Sequence, residues 1–284
     1  MSSKVKMLIK KEILFCDLNP ICYSLSLKKE ILKRKIQDLS SQNRFAKKID
    51  STDLPVLISE YNSSLIKKGK DIDPILQENK ARNIQLASEK IHHLLIKPGE
   101  MFSFWERVGN PSKRRGYSEG RILKKGVLQA GIGGGLCNLA NTIHRIVLQS
   151  PLTVTEFHSH SDALAPDGAV RIPFSSGTSV SYNNVDYRFI NETDQTYQLK
   201  IWCSDGRLYA ELRALKELDV LYQIVEEDLH YVVEHGKYYR KSKIYTDIID
   251  KNSFKRLKRV LVLNNHSEIM FDPDLLNEEC IRFG

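Results

Sequence analysis

A glycine-rich segment that runs directly into an amphipathic stretch constrains this chain more than any other feature. The segment consists of Gly131, Ile132, Gly133, Gly134, Gly135, Leu136, Cys137 and Asn138. Beyond it, apolar residues recur at helical spacing as far as Val147. The pattern predicts a tight turn, which glycine permits because it lacks a Cβ, and then a helix with Cys137 in its first turn.

This position gives Cys137 a distinct chemistry. The first turn of a helix has free backbone N–H groups and the positive end of the helix dipole, so a thiol there is expected to ionise more easily. The loop formed by Gly133, Gly134 and Gly135, together with Asn138, is therefore a candidate oxyanion and substrate loop. The same pattern also fits a simple tight turn with a small buried thiol, so the residues alone leave both interpretations open.

A second segment offers a partner for the thiol. Residues 153–160 are rich in β-branched and aromatic side chains, which predicts a strand with His158 and His160 on one face. A cysteine at a helix start with a histidine on a later strand is typical of a nucleophile and its general base. The two histidines lie about 6–7 Å apart along a strand, so only one is expected to contact the thiol, and His160 is the preferred base. His144 lies two helical turns from Cys137, about 10 Å away, which is too far for proton transfer.

A metal site is the main alternative on the same residues. Cys137, His158 and His160 would supply three zinc ligands and leave the fourth position to water. Nearby carboxylates that would orient or complete such a site are Asp162, Asp167 and Asp186. The nucleophile without a cofactor is preferred, because the glycine turn before Cys137 favours oxyanion chemistry over metal ligation.

Composition narrows the class of protein. The chain has 284 residues, of which 41% are hydrophobic and 27% charged, as in globular proteins. Its five cysteines show no CxxC spacing, and the apolar run near the N-terminus is too short for a signal peptide, which predicts a cytoplasmic protein. The net charge of +8 allows an acidic partner, but no nucleic-acid motif is present, so no nucleic-acid partner is expected.

The order of the predicted elements indicates an α+β fold. Helices are predicted at about 27–39, 54–66 and 77–95, followed by a hairpin, the Cys137 helix and a run of antiparallel strands. This gives an N-terminal helical layer, a cysteine-bearing helix packed on an antiparallel sheet, and a β-rich C-terminal extension. The corresponding segments are 1–77, 78–213 and 214–284.

Two basic features suggest binding surfaces. The first helix, with Ser26 as its candidate cap, carries lysines along one side, which fits either a solvated face or peripheral contact with an anionic membrane. Arg114 and Arg115 lie in a polar loop before the hairpin, where they are candidates to hold a carboxylate or phosphate of the substrate.

Several motifs follow one another along the chain: Arg82-Asn83, 98–104, Val108-Gly109, Gly116-Tyr117, Gly133-Gly134-Gly135-Leu136-Cys137, His158-Ser159-His160, and 185–189 with Asn191. Together they resemble the VanW family, which occurs in some glycopeptide-resistance gene clusters and as domains of larger cell-envelope proteins. The resemblance spans nearly the whole chain, and the chain is similar to the short, stand-alone cytoplasmic type of the family.

The resemblance implies a role in the peptidoglycan or glycopeptide response. For some VanW domains of secreted proteins it further implies L,D-transpeptidase activity with the loop cysteine as nucleophile. Carried over to this chain, Cys137 would form a thioester with a peptidoglycan stem peptide or precursor, and His160 or His158 would accept the thiol proton. A non-catalytic accessory or precursor-binding module is the alternative. The chain departs from the family pattern at Asn138, where glutamine is usual, and at Phe157, where arginine is common.

Overall fold

The computed structural model describes residues 15–66, 73–124, 127–159, 162–163, 177–182, 185–276 and 280–282. The chain divides into two compact units, Met1–Gln42 and Asn43–Gly284. The helices are α1 (Pro20–Ser40), α2 (Pro74–Ser88), α3 (Phe104–Val108) and α4 (Leu136–Val147). None of the helices in the described ranges has the length and apolarity needed to cross a lipid bilayer.

The strands account for most of the second unit. In chain order they are β1 (Arg44–Phe45), β2 (Val56–Ser64), β3 (Leu94–Ile96), β4 (Glu100–Ser103), β5 (Glu119–Lys124), β6 (Val127–Ile132), β7 (Thr153–Glu156), β8 (Asp162–Ala163), β9 (Arg188–Ile190), β10 (Tyr197–Ser204), β11 (Arg207–Ala214), β12 (Val220–Glu234), β13 (Lys237–Asp250), β14 (Arg256–Ile269) and β15 (Ile281–Arg282).

The first unit contains α1, which confirms the predicted first helix and extends it towards the N-terminus. The helix begins at Pro20, where the fixed φ of proline suits the first turn. Its cap is Asn19, whose side chain accepts a hydrogen bond from the N–H of Cys22 at 2.9 Å, so the prediction of Ser26 as the cap was wrong. Ser26 lies inside the helix because the chain is already helical from Pro20, after the cap at Asn19.

A mostly antiparallel sheet and two helices form the core of the second unit. The sheet has the order β2-β11-β10-β3, and α4 packs on β2 and β11 while α2 packs on α4 and β10. Leu139, Ile143 and Ile146 of α4 are fully buried, and each such side chain contributes about 1.5–3 kcal/mol relative to exposure. This arrangement confirms the α+β class and the packing of the cysteine-bearing helix on an antiparallel sheet.

The predicted helix at 54–66 is instead strand β2. Its residues pair with β11 from Val56↔Ala214 to Ser64↔Arg207, with a bulge at Leu212/Arg213. The apolar stripe fits both helical and alternating spacing, and pairing with a long neighbouring strand decides between them. Asp53, which precedes this strand, forms an ion pair with Lys200 at 2.6 Å.

The third predicted helix is confirmed in part. Helix α2 begins at Pro74 after the cap Asp73 and ends at Ser88, earlier than the predicted Leu95. Leu94 belongs to β3, which pairs with β10. The apolar periodicity continues past the helix end because β3 is buried on both faces, and such a strand has no polar alternation to mark it.

The strands around the cysteine helix include two smaller sheets. One has the order β1-β4-β9-β7, and the other is the predicted β5–β6 hairpin. Strand β7 ends at Glu156, so the predicted strand at 153–160 is shorter than expected, and His158 lies just beyond it. Strand β7 ends at Glu156 because its partner among the described residues, β9, is three residues long.

The C-terminal strands form a sheet with the order β15-β12-β13-β14-β8, in which β8 comes from earlier in the chain. Strands β12, β13 and β14 are long, whereas the sequence pattern predicts short strands at about 220–225, 231–233 and 260–263. The β12–β13 turn has positive φ at both central residues, 51° at His235 and 77° at Gly236, as a tight two-residue hairpin turn requires. The predicted β-rich C-terminal extension is therefore confirmed, with longer strands than expected.

Candidate functional site

The β5–β6 hairpin delivers the chain to the glycine loop. Gly133 has a φ of 78° and Gly135 a φ of 103°, a region that favours glycine because other residues have a Cβ clash there. Gly135 occupies the cap position of α4, and no side chain caps the helix. Cys137 therefore lies in the first turn of a helix that the chain enters through glycines, as the sequence predicts.

The lack of a side chain at Gly134 allows a close backbone contact inside the protein. Its backbone passes so close to Gly120 of β5 that a Cβ on Gly134 would overlap the Gly120 carbonyl group. Gly133 and Gly134 are both buried. The close approach that these two glycines allow is therefore between two parts of the chain, and of the three loop glycines only Gly135 is partly exposed.

Asn83 of α2 fastens the loop to its surroundings. Its side chain is fully buried and donates to the carbonyl oxygens of Ser118 and Gly134, each at 3.0 Å. It also accepts from the N–H of Ser118 at 2.9 Å. Asn83 belongs to the Arg82-Asn83 motif, but the sequence does not predict this role. The position of an asparagine inside a helix does not indicate which groups its side chain contacts.

Most backbone N–H groups of the loop are already used. Those of Gly133, Gly134 and Asn138 donate to Ser118, Gly131 and Gly135, respectively. Among the hydrogen bonds of the described residues, none uses the N–H of Gly135, and the N–H of Cys137 has its own Sγ as acceptor. These two groups lie next to the thiol and are the candidate donors for an oxyanion.

Cys137 lies in the first turn of α4 and is half-buried. Its Sγ is 3.6 Å from the carbonyl oxygen of Val180, to which the thiol donates. Burial raises the pKa of the Cys137 thiol, although backbone hydrogen bonds act in the opposite direction. The direction is opposite to the easier ionisation expected at a helix start, because removing the thiolate from water costs more than the dipole returns.

His158 is held by its main chain and by its ring. Its N–H donates to Thr178 Oγ1 at 3.4 Å, and its carbonyl accepts from the N–H of Ser179 at 2.7 Å. The ring Nε2 lies 3.0 Å from Glu156 Oε1. Within the described residues no hydrogen bond joins His158 to Cys137, and His160, the preferred base, lies outside the described residues.

The segment at 177–182 connects the two halves of the site. Asn141 lies one turn after Cys137 on α4, and its Oδ1 accepts from the N–H of Thr178 at 2.5 Å. Thr178 in turn contacts His158, while Val180 contacts Cys137. Cys137 and His158 thus both contact one short segment of the chain.

A network of charged side chains contacts the His158 ring through Glu156. Arg188 Nε lies 2.7 Å from Asp186 Oδ2 and 3.6 Å from Glu156 Oε2. Asp186 also accepts from Ser103 Oγ at 2.5 Å and is almost completely buried. Because Glu156 contacts both His158 and this network, it orients the imidazole as a carboxylate orients a catalytic or metal-binding histidine. Sequence analysis did not identify Glu156, whose spacing of two from His158 on a strand was the available signal.

His144 has a structural place. Its Nδ1 lies 3.1 Å from the hydroxyl of Tyr187, and its ring stacks on Phe157. Burial lowers the pKa of His144 to about 3, so the ring is neutral at ordinary pH. Phe157 thus packs on a neutral ring.

The remaining predicted site residues have contacts other than the thiol or lie outside the described residues. Arg114 and Arg115 are exposed on a short 3-10 turn, and Arg115 Nη1 donates to the carbonyl of Asn110 at 3.1 Å. In the described ranges no three His, Cys, Asp or Glu side chains are grouped to hold a metal ion. Of the carboxylates considered for a zinc site, Asp186 is engaged by Arg188, and Asp167 lies outside the described residues.

Comparison with known proteins places this arrangement in a family. The chain is 32% identical over 200 residues to the vancomycin B-type resistance protein VanW of Enterococcus faecalis, covering 70% of this chain and 73% of the relative. The chain belongs to the VanW family. The model of VanW-like proteins matches residues 79–213, which hold the glycine loop, Cys137, His158 and the Arg188 network.

A second relative is the uncharacterised protein YoaR of Bacillus subtilis. It is 30% identical over 118 residues, which is 42% of this chain and 37% of YoaR. No solved structure matches the chain. The VanW-like match ends at residue 213, just before the end of β11, so β12, β13 and β14 follow the matched region.

Proposed function

We propose that this protein takes part in resistance to vancomycin-type glycopeptides by acting on a peptidoglycan stem peptide or precursor as a cysteine acyltransferase. The similarity to a vancomycin B-type resistance protein supports the biological setting. The chemistry rests on one observation: the N–H of Gly135 has no acceptor among the described residues, the N–H of Cys137 has only its own Sγ, and the thiol lies beside both groups. A thiol next to two N–H groups that no other residue uses suits attack on a carbonyl.

In the proposed reaction, Cys137 Sγ forms a bond to the carbonyl carbon of a stem-peptide residue. A histidine, either His158 or His160, accepts the thiol proton, and the two N–H groups stabilise the negative oxygen. The C–N bond then breaks, and the leaving amine takes the proton from the imidazole, which leaves a thioester on Cys137. An acceptor amine or water later attacks that thioester and releases the thiol.

The first step requires the thiol to leave Val180. In the free protein Cys137 donates to that carbonyl, and Glu156 holds the His158 ring. Substrate binding that displaces residues 178–180 would free the thiol and bring it to the imidazole. Since burial raises the pKa of Cys137, ionisation must accompany attack, which gives the histidine its role as general base.

The test is intact-mass analysis after incubation with the stem pentapeptide. We expect a mass increase equal to the acyl group, lost in Cys137→Ser and retained in Cys203→Ser. Cys203 is a matched control because it is also half-buried and burial likewise raises its thiol pKa. An adduct that persists in Cys137→Ser would exclude Cys137 as the nucleophile.

A non-catalytic, precursor-binding module is the second candidate. It is favoured by the pKa of the Cys137 thiol, which burial raises, and by the separate partners of Cys137 and His158. It predicts that Cys137→Ala binds the stem peptide with unchanged affinity and that the native protein forms no acyl adduct. An adduct in the native protein would decide for the enzyme.

We further propose that α1 contacts an anionic membrane surface. Leu25, Leu32 and Leu39 of this helix repeat every seven residues and are between 53% and 86% exposed. Exposed lysines flank this stripe at 28, 29, 33 and 35. Lysines on both sides would repel a second copy of the helix, whereas lipid head groups with negative charge complement them.

A further inference from the structure

A groove next to the glycine loop has a chemical character that the proposed reaction does not use. It lies between α2 and the turn that follows the 3-10 segment, and its volume is about 410 Å³. Its lining residues are Arg82, Lys113, Gly116, Tyr117, Ser118 and Glu119. These residues form what we call the Arg82 groove.

Tyr117 is the unusual member of the Arg82 groove. Its side chain is 3% exposed, and its buried hydroxyl has no hydrogen-bond partner among the described residues. A buried hydroxyl without a partner is energetically unfavourable, so such a group on a residue of the groove wall indicates a partner that arrives with a ligand. Burial also raises the pKa of Tyr117, which keeps the hydroxyl protonated and able to donate.

The charge around Tyr117 favours an anion as that partner. Arg82 is exposed, and no ion pair within the described part of the chain uses it. Arg115 lies close enough to lower the Tyr117 pKa against the effect of burial, whereas Glu89 acts in the opposite direction and more weakly than Arg115. The only acid in the lining is Glu119, which lies 3.5 Å from Lys113. A guanidinium beside a hydroxyl donor matches the two oxygens of a carboxylate.

The groove is mechanically tied to the cysteine site. Ser118 in the groove wall accepts from the N–H of Gly133 at 3.1 Å, and Asn83, next to Arg82 on α2, contacts both Ser118 and Gly134. The wall of the groove and the loop that precedes Cys137 therefore share the same anchors. A ligand held in the groove would have a fixed relation to the first turn of α4.

We infer that the Arg82 groove binds a carboxylate of the substrate peptide, with Arg82 as the cation and the Tyr117 hydroxyl as a second donor. The inference rests on the proposed function, because it takes the stem peptide as the substrate. It goes beyond that function in assigning a separate subsite, on residues that take no part in acyl transfer, to the charged end of the peptide. A phosphate group would use the same donors, so the experiment separates the two sources.

The test measures binding to the full chain by calorimetry. The probes are a stem pentapeptide with a free C-terminal carboxylate, the same peptide as its C-terminal amide, and inorganic phosphate. We expect the amide to bind at least tenfold more weakly than the acid. Arg82→Gln and Tyr117→Phe should each weaken binding of the acid about fivefold or more and leave binding of the amide unchanged.

Arg121→Gln is the matched control, because Arg121 is an exposed arginine of β5 outside the groove. It should bind the acid normally. Tyr117→Phe should also keep the native unfolding midpoint, since its hydroxyl makes no hydrogen bond in the free protein. Equal affinity for acid and amide, or a lower midpoint in Tyr117→Phe with unchanged binding, would overturn the inference.

Failure of the groove is distinguishable from failure of the acyl transfer. If the acid binds through Arg82 and no thioester forms, the subsite stands and the catalytic role of Cys137 fails. If the thioester forms equally fast from acid and amide peptides, the catalytic role stands and the subsite fails. Competition by inorganic phosphate at concentrations near those of the peptide would assign the groove to phosphate and overturn the carboxylate.

Discussion

Gly120 and Gly134 cross with their backbones in direct contact: a Cβ on Gly120 would lie 2.8 Å from the carbonyl oxygen of Gly134. One glycine belongs to β5 and the other to the loop before α4, so the crossing positions the cysteine helix against the hairpin. The glycine-rich motif is therefore in part a packing motif. The proposed chemical role concerns Gly135 and Cys137, whose N–H groups lie next to the thiol.

Replacing Gly134 by alanine should destabilise the protein by several kcal/mol, because the new Cβ would overlap the Gly120 carbonyl and neither backbone can move without breaking the hairpin. Urea unfolding measures the loss. Gly206→Ala is the control: nothing lies within 4 Å of its Cβ position, and its φ of 70° alone predicts a cost of about 1–2 kcal/mol. Similar losses in the two variants would contradict the crossing.

Replacing Asn83 by alanine should lower the free energy of unfolding by about 2–3 kcal/mol, because buried groups of Ser118 and Gly134 lose their partners. Asn79→Ala, which removes a single hydrogen bond to Glu119, should cost about 1 kcal/mol or less. Equilibrium denaturation of both variants gives the comparison. An Asn83→Ala protein as stable as Asn79→Ala would show that Asn83 does not hold the loop.

Alkylation of Cys137 by iodoacetamide should require higher pH in the folded protein than in urea. Burial raises the thiol pKa, so at a given alkaline pH the native chain contains less thiolate than the unfolded chain. By linkage, this protonation contributes stability below the unfolded pKa that is lost as pH rises towards the folded value. Peptide-resolved mass spectrometry measures the rate. A native inflection below that of the unfolded chain would refute the prediction, and one that shifts in His158→Asn would link the two side chains.

The protein should lose stability between pH 6.5 and 3 through His144. Its pKa is about 3 in the folded protein against the ordinary 6.5, so in that interval the unfolded chain binds a proton that the native state does not. Stability therefore falls as the pH falls, by at most about 1.4 kcal/mol per unit. Comparing urea midpoints at pH 7.5 and 5.5, we expect His144→Asn to reduce the fall by about 1 kcal/mol.

His235→Asn is the control for that measurement, because His235 is exposed in the β12–β13 turn and its positive φ is one that asparagine tolerates. It should retain the pH dependence of the native protein. If His144→Asn also retains it, His144 is not the residue responsible.

Helix α1 should bring the chain to vesicles that contain anionic lipid and not to neutral vesicles. Leu32→Ser, which removes an exposed apolar contact at 59% exposure, should reduce sedimentation with the anionic vesicles. Leu215→Ser is the control, since that leucine is also exposed, at 50%, but lies outside α1. Equal binding to both vesicle types, or equal loss in both variants, would remove the membrane contact from the proposal.

Some features were predictable because their signals are local. The glycine turn, the helix from Leu136 and the hairpin before it follow from spacing over a few residues, and all three are present. Strand β2 was mistaken for a helix because its apolar residues fit both periods, and its state is decided by β11, about 150 residues later in the chain. Local spacing does not contain that information.

At the site, local signals are enough to place Cys137 at the start of a helix after a glycine turn, since glycine conformations and helical periodicity act within a few residues. The packing of Gly134 on Gly120 and the burial that raises the Cys137 pKa depend on the tertiary fold. The same is true of the contact by which Glu156 orients His158. Desolvation and hydrogen bonding depend on which distant segments meet. Those contacts arise when the whole core closes around α4.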